Sequence, residues 1–179
     1  ANGVVCAATV TSSWGGRISA ETARLTIWPK VCEPNWFGHD ASGDFLANEE
    51  GIHPFVISTG QDVSVRGGAR FSVDKEGRLF CDWRMTADRD VPLAEFGLVA
   101  PFASDVYAGG VVVVDGRPER LPVFHEVLHV ISSVATNIVV RDAKGAVRFS
   151  FTFDEPTDFF IQDDRAFAVN HFTLRLPFA

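Results

Sequence analysis

Alternation with period two runs through most of this chain, and it restricts the fold more than any other feature. In "AVRFSFTF" Val147, Phe149, Phe151 and Phe153 point one way, while Arg148, Ser150 and Thr152 point the other. "RLFCDWRM" places Leu79, Cys81, Trp83 and Met85 on one side, and "RFSVD" does the same with Phe71 and Val73. "RLTIW" pairs Leu25 with Ile27, and "NHFTLRL" aligns Phe172, Leu174 and Leu176. Such runs bury one face and wet the other, as antiparallel strands do.

Turn residues punctuate the runs at short intervals: "WGG" at 14–16, "DKEG" at 74–77, "DG" at 115–116, "DAKG" at 142–145 and "QDD" at 162–164. "VDKEGRLF" and "RDAKGAVRF" read as hairpins. No amphipathic helix of three turns stands out. The pattern predicts an all-β fold of roughly a dozen short strands, a two-sheet antiparallel β-sandwich or jelly roll. At 179 residues the chain suits a single domain over 1–179 with a full hydrophobic core. The segment 32–54 lacks alternation and is rich in Gly, Asp, Asn and Pro, which predicts a long surface loop.

Charge narrows the partners. The formal net charge is −7 and no Lys/Arg-rich stripe occurs in the sequence, which argues against nucleic acid and anionic membrane. No apolar run approaches the roughly 20 residues of a membrane span. The chain opens on Ala1 rather than Met, as expected of a mature or excised portion of a larger protein. Cys81 lies on the apolar side of its run and is expected to be a buried thiol. Cys6 and Cys32 could pair if their strands are neighbours, so the redox compartment stays open.

"HEVLH" at 125–129 matches the zinc signature of metalloproteases, with His125 and His129 as ligands and Glu126 as base. That chemistry needs a helix, where residues i and i+4 lie about 6 Å apart. On a strand, four residues span roughly 13 Å, and the two imidazoles could not share one ion. The surrounding Val and Ile, the absence of an N-cap before Pro122 and the lack of a third ligand favour a strand. Two strand histidines beside Glu126 are the expectation.

Other constellations are weaker. Glu49–Glu50, Asp154–Glu155 and Asp163–Asp164 are adjacent carboxylates, which point to opposite faces of a strand and are expected to be solvated turn residues rather than glycosidase pairs. Asp40, Asp44, Asn48 and Glu49, with Glu50, could offer oxygen ligands to a structural calcium ion, the one cofactor the sequence suggests. Trp14 and Trp36 beside turn signals, and Tyr107 before "AGG", are the aromatics expected to be exposed and able to stack on a sugar. Trp83 is expected in the core, and Trp28 is open to either reading. "RGGAR" precedes a strand rather than a helix, so it is not a phosphate loop.

"ARFSVDKEGRLFCDWRMTADRDVPLAEFGLVAPF", followed by "YAGGVVVVDGRPERLP", resembles the non-catalytic β-sandwich domains of large bacterial glycoside hydrolases. The likeness lies in a hairpin with an acidic-Gly turn, a Trp-bearing strand, a "VDG" turn and a Pro-containing exit. The closing "FTFDEPTDFFIQDDRAF" and "NHFTLRL" continue it, so that residues 69–179 are covered. The resemblance implies an extracytoplasmic accessory or carbohydrate-binding module, with a glycan or a neighbouring catalytic domain as partner. It implies no catalytic residue in this chain. A stand-alone glycan hydrolase with a carboxylate pair, or the zinc protease, would be the enzyme alternatives.

Overall fold

The computed structural model describes residues 7–8, 20–22, 25–41, 46–60, 63–76, 78–90 and 92–178. Among them the fold is all-β, sandwich-like as the alternation predicts. It has thirteen strands, one four-residue helix and one 3-10 turn. The chain gathers into two compact units, with the division between Leu98 and Val99. None of the described helices is long and apolar enough to cross a membrane, which leaves open crossing by strands.

In the first unit β1 (Ala7–Ala8), β2 (Ala20–Thr22) and β3 (Leu25–Cys32) pair in that order, and β4 (Gly38–Asp40) also pairs with β3. A separate antiparallel sheet holds β5 (His53–Ser58), β6 (Ser64–Val73) and β7 (Leu79–Ala87). Its inner face supplies Phe55, Ile57, Val65 and Ala69 to a buried cluster with Val31 and Ala41, and Phe71, Trp83 and Met85 pack against it. β7 alternates without a break, with Leu79, Cys81, Trp83 and Met85 inward and Phe80, Asp82, Arg84 and Thr86 outward. The "RGG" glycines are used up by this packing. A Cβ on Gly67 would lie 2.4 Å from the Phe55 ring, and one on Gly68 would lie 2.6 Å from Cγ2 of Ile52. The predicted loop over 32–54 is interrupted by β4, because Gly38 to Asp40 continue the ladder of Lys30 to Cys32. Cys32 is buried, whereas Cys6 and the "WGG" turn lie outside the described residues.

β8 (Glu95–Ala103) runs through the division. After it come helix α1 (Ser104–Tyr107), β9 (Val111–Val114), β10 (Arg117–Arg120), β11 (His129–Arg141), β12 (Val147–Asp163) and β13 (His171–Pro177). The second unit's sheet has the order β8-β13-β12-β11-β9-β10. The "DG" turn is a two-residue hairpin with both central residues at positive φ, Asp115 at 44° and Gly116 at 83°, as a type I′ connection requires. Edge strand β10 is exposed throughout and carries Arg117, Pro118, Glu119 and Arg120, a composition that discourages further pairing.

β11 and β12 are much longer than predicted, at 13 and 17 residues. Their ladder shifts register near both ends, at His129/Ile131 and Val140/Arg141, and most of all in the middle: Ala135 faces Thr157 and Asn137 faces Thr152, so Phe153–Pro156 stand against Thr136 alone. Phe149, Phe151 and Phe153 are half-buried as the alternation predicts, but Val147 at the start of the strand is exposed. At the "DAKG" turn Asp142 is buried. Its Oδ1 accepts from the backbone of Lys144 and Ala146, and its Oδ2 meets the Arg148 guanidinium. Burial works to raise the Asp142 carboxyl, and these bonds outweigh it and hold the group below its ordinary value.

Candidate functional site

The β3–β4 hairpin turns through Glu33–Phe37. The Trp36 amide donates to the Glu33 carbonyl at 2.7 Å, with Pro34 and Asn35 at the corner. The Glu33 amide in turn donates to the Phe37 carbonyl at 3.0 Å. In a three-residue connection of this kind, the last loop residue adopts the left-handed conformation and is usually glycine. Here that residue is Trp36, at φ 66°. A side chain there costs about 1–2 kcal/mol relative to right-handed backbone. Asn35 supports the corner by accepting the Phe37 amide on Oδ1 at 2.9 Å.

The strained residue is the one presented to solvent. Trp36 is 55% exposed and Phe37 63%, so two successive aromatic side chains are presented to solvent at the hairpin tip. The base is anchored by Glu33, whose Oε1 meets His39 Nε2 at 2.9 Å and accepts the Gly60 amide at 2.7 Å. His39 also packs edge-on to Phe37, with ring centroids 5.1 Å apart. Trp28 donates its indole N–H to Asp40 Oδ1 at 3.2 Å. The arrangement is a hydrogen-bonded hairpin bearing exposed aromatic side chains, suited to stacking against the face of a ligand.

The other sugar-stacking candidates do not join it. Tyr107 is 5% exposed, because α1 turns its ring against Phe102 and Phe149, and this corrects the expectation of an exposed side chain. Trp14 lies outside the described residues. Phe37 is not among the aromatics that the sequence singles out; its place two residues past Pro34-Asn35 is the one local signal for it.

The acidic loop is partly committed elsewhere. Asn48 Oδ1 accepts the amides of Glu50 and Ile52, closing its own turn around Gly51, and Asp40 holds Trp28. Glu49 and Glu50 are exposed, and Asp44 lies outside the described residues. Among the described residues no three His, Cys, Asp or Glu side chains are placed to hold a metal ion.

"HEVLH" is neither helix nor strand over most of its length; only His129 belongs to β11. The strand expectation for the residues before it is corrected for a physical reason. This stretch is held by the Arg165 side chain and one backbone bond rather than by a ladder. Arg165 donates to the carbonyls of Pro122 and Val123, and the Asp163 amide donates to the Leu128 carbonyl. His125 Nδ1 stands 3.3 Å from Asp163 Oδ2, while the His129 ring packs on Phe160. The two histidines therefore serve different partners, and Glu126 is exposed.

Asp163 and Asp164 are likewise buried rather than solvated. Asp163 has a side chain with 0% exposure, and Arg165 binds it through both Nε and an Nη. Burial pushes its carboxyl up, but the Arg165 side chain and amide, then His125, overcome this and hold it below the ordinary value. Asp164 takes Gln162, Thr173 and His171. A groove of about 430 Å³ lies beside the β9–β10 hairpin, lined in part by Asp115, Arg117, Glu119 and Ser132. Asp115 in it is occupied structurally by Thr136 and Asn137.

No family model matches the chain, and no curated protein or solved structure matches it.

Proposed function

We propose that the chain is an accessory carbohydrate-binding module of a glycan-degrading enzyme, working outside the cytoplasm beside a catalytic domain. Trp36 is its stacking surface. The observation that carries this reading is the left-handed Trp36, exposed at the tip of an otherwise well-bonded hairpin. Backbone strain persists where the surroundings enforce it, and it concentrates at ligand-binding positions. Glycine would relieve this strain, so the indole has a use that outweighs it. The Glu33–His39–Gly60 bonds limit the ordering that binding would otherwise require.

The test is a depletion assay against a panel of insoluble polysaccharides, comparing wild type with Trp36→Ala and Phe37→Ala. The wild type should be retained by at least one glycan, and Trp36→Ala should weaken retention by about tenfold, the scale of one stacking contact. Equal retention of wild type and Trp36→Ala would sink the proposal.

A further inference from the structure

The sequence has no basic stripe, yet strand register builds a short one. Alternate residues on a strand share a face, so β6 turns Arg66, Gly68 and Arg70 away from the cluster that Val65 and Ala69 join. β7 turns Asp82 and Arg84 the same way. The ladder sets Arg66 opposite Thr86, Gly68 opposite Arg84 and Arg70 opposite Asp82. Arg84 therefore stands one strand across and halfway between Arg66 and Arg70. The three cations zigzag over about 13 Å of strand, with diagonal steps of about 7–8 Å. All three are exposed.

The floor beside them is apolar. Ile52 packs over Gly68, and Pro54 and Val56 face outward from β5 with the same parity. Phe80 is exposed at one end of the row, with the Arg78 guanidinium 5.9 Å from its ring centre. Two anions interrupt the face: Asp82 Oδ2 lies 3.5 Å from Arg84 Nη2, an exposed pair that holds the guanidinium only weakly, and exposed Asp88, two residues past Thr86, accepts the Ser64 amide at 3.3 Å. Arg70 is steadied by donating to the Glu50 carbonyl at 3.0 Å.

We propose that this outer face of the β5–β6–β7 sheet binds an acidic polysaccharide. Arginine forks match carboxylate and sulfate groups bidentately, and the apolar floor meets the sugar ring faces between the charges. Charge density selects this polymer over nucleic acid. Duplex DNA carries one charge per roughly 1.7 Å, whereas the face supplies about one cation per 7 Å. The remainder of a chain with net charge −7 repels a denser polyanion. The face is separate from the Trp36 tip, and its action does not depend on that tip.

The test is native affinity electrophoresis in gels containing polygalacturonate, with neutral dextran and a single-stranded oligonucleotide as parallel probes. Polygalacturonate should retard the wild type at low ionic strength, and added salt should release it. Arg66→Ala combined with Arg84→Ala should weaken retardation by about tenfold, and the paired lysine substitutions should restore part of it. Asp82→Asn should strengthen it by about threefold. These side chains are exposed, and unchanged melting curves will show that the variants remain folded. Trp36→Ala should leave polygalacturonate binding unchanged, which separates this face from the hairpin tip. Absence of retardation, retardation indifferent to the arginine pair, or stronger retardation by the oligonucleotide than by polygalacturonate would each overturn the proposal.

Discussion

Both units expose large apolar side chains on an irregular segment, but they hold those segments in different ways. In the first unit Trp36 and Phe37 ride on a hairpin whose shape comes from backbone hydrogen bonds within five residues. In the second unit Phe124 is 77% exposed, and its segment is fixed by Arg165, some forty residues further along the chain. The first device stores strain in one dihedral angle and uses no buried charge at its tip. The second stores no such strain and depends on a fully buried carboxylate paired with a partly exposed guanidinium. A presented surface can thus be set locally, by a turn, or remotely, by an ion pair, and the two should fail under different conditions.

Removing the remote anchor should have the largest effect. Asp163→Ala leaves the partly exposed Arg165 without its carboxylate partner and is expected to destabilise by about 3 kcal/mol, read from urea denaturation. Acid should undo the same anchor progressively. The folded Asp163 carboxyl lies below its ordinary value of 3.8, so its contribution is complete above that value and lost as pH falls through the folded one. Proteolytic nicking of 122–128 should therefore rise as the pH drops below about 4, before the Trp36 hairpin is cut. Simultaneous cutting of both segments would erase the distinction.

The local device responds more gently. Glu33→Ala removes the acceptor shared by His39 and Gly60 and should destabilise by about 1–2 kcal/mol, with faster quenching of Trp36 fluorescence. Trp36→Gly should act in the opposite direction, stabilising by about 1 kcal/mol in thermal melts while abolishing glycan retention. A destabilised glycine variant would remove the case for strain at this residue. The smallest effect belongs to His125→Ala, below about 0.5 kcal/mol, because that imidazole is partly exposed and Arg165 already satisfies Asp163.

What the sequence reveals follows the range of the interactions involved. β7 and the first part of β12 are legible because burial on one face imposes a period of two on neighbouring residues. The "DG" hairpin was legible because only a few residues accept positive φ. Trp36 was visible as an aromatic beside a turn, but its left-handed backbone was not, since that position ordinarily selects glycine. Tyr107 misled because the four-residue helix that turns it inward has no periodicity to read. The irregular course of "HEVLH" depends on Asp163 and Arg165, and the basic face depends on a register between β6 and β7. Neither leaves a mark on nearby residues.

The interruption opposite Thr136 has a consequence for how the long β11–β12 ribbon avoids mispairing. A continuous ladder slides as one piece, and a one-residue slip would turn every phenylalanine to the wrong face. Here Phe153–Pro156 separate two shorter ladders, and Asp115 fastens the junction by accepting the amides of Thr136 and Asn137. The register of one ladder is thereby not rigidly tied to that of the other, because four residues of β12 lie against one of β11 between them.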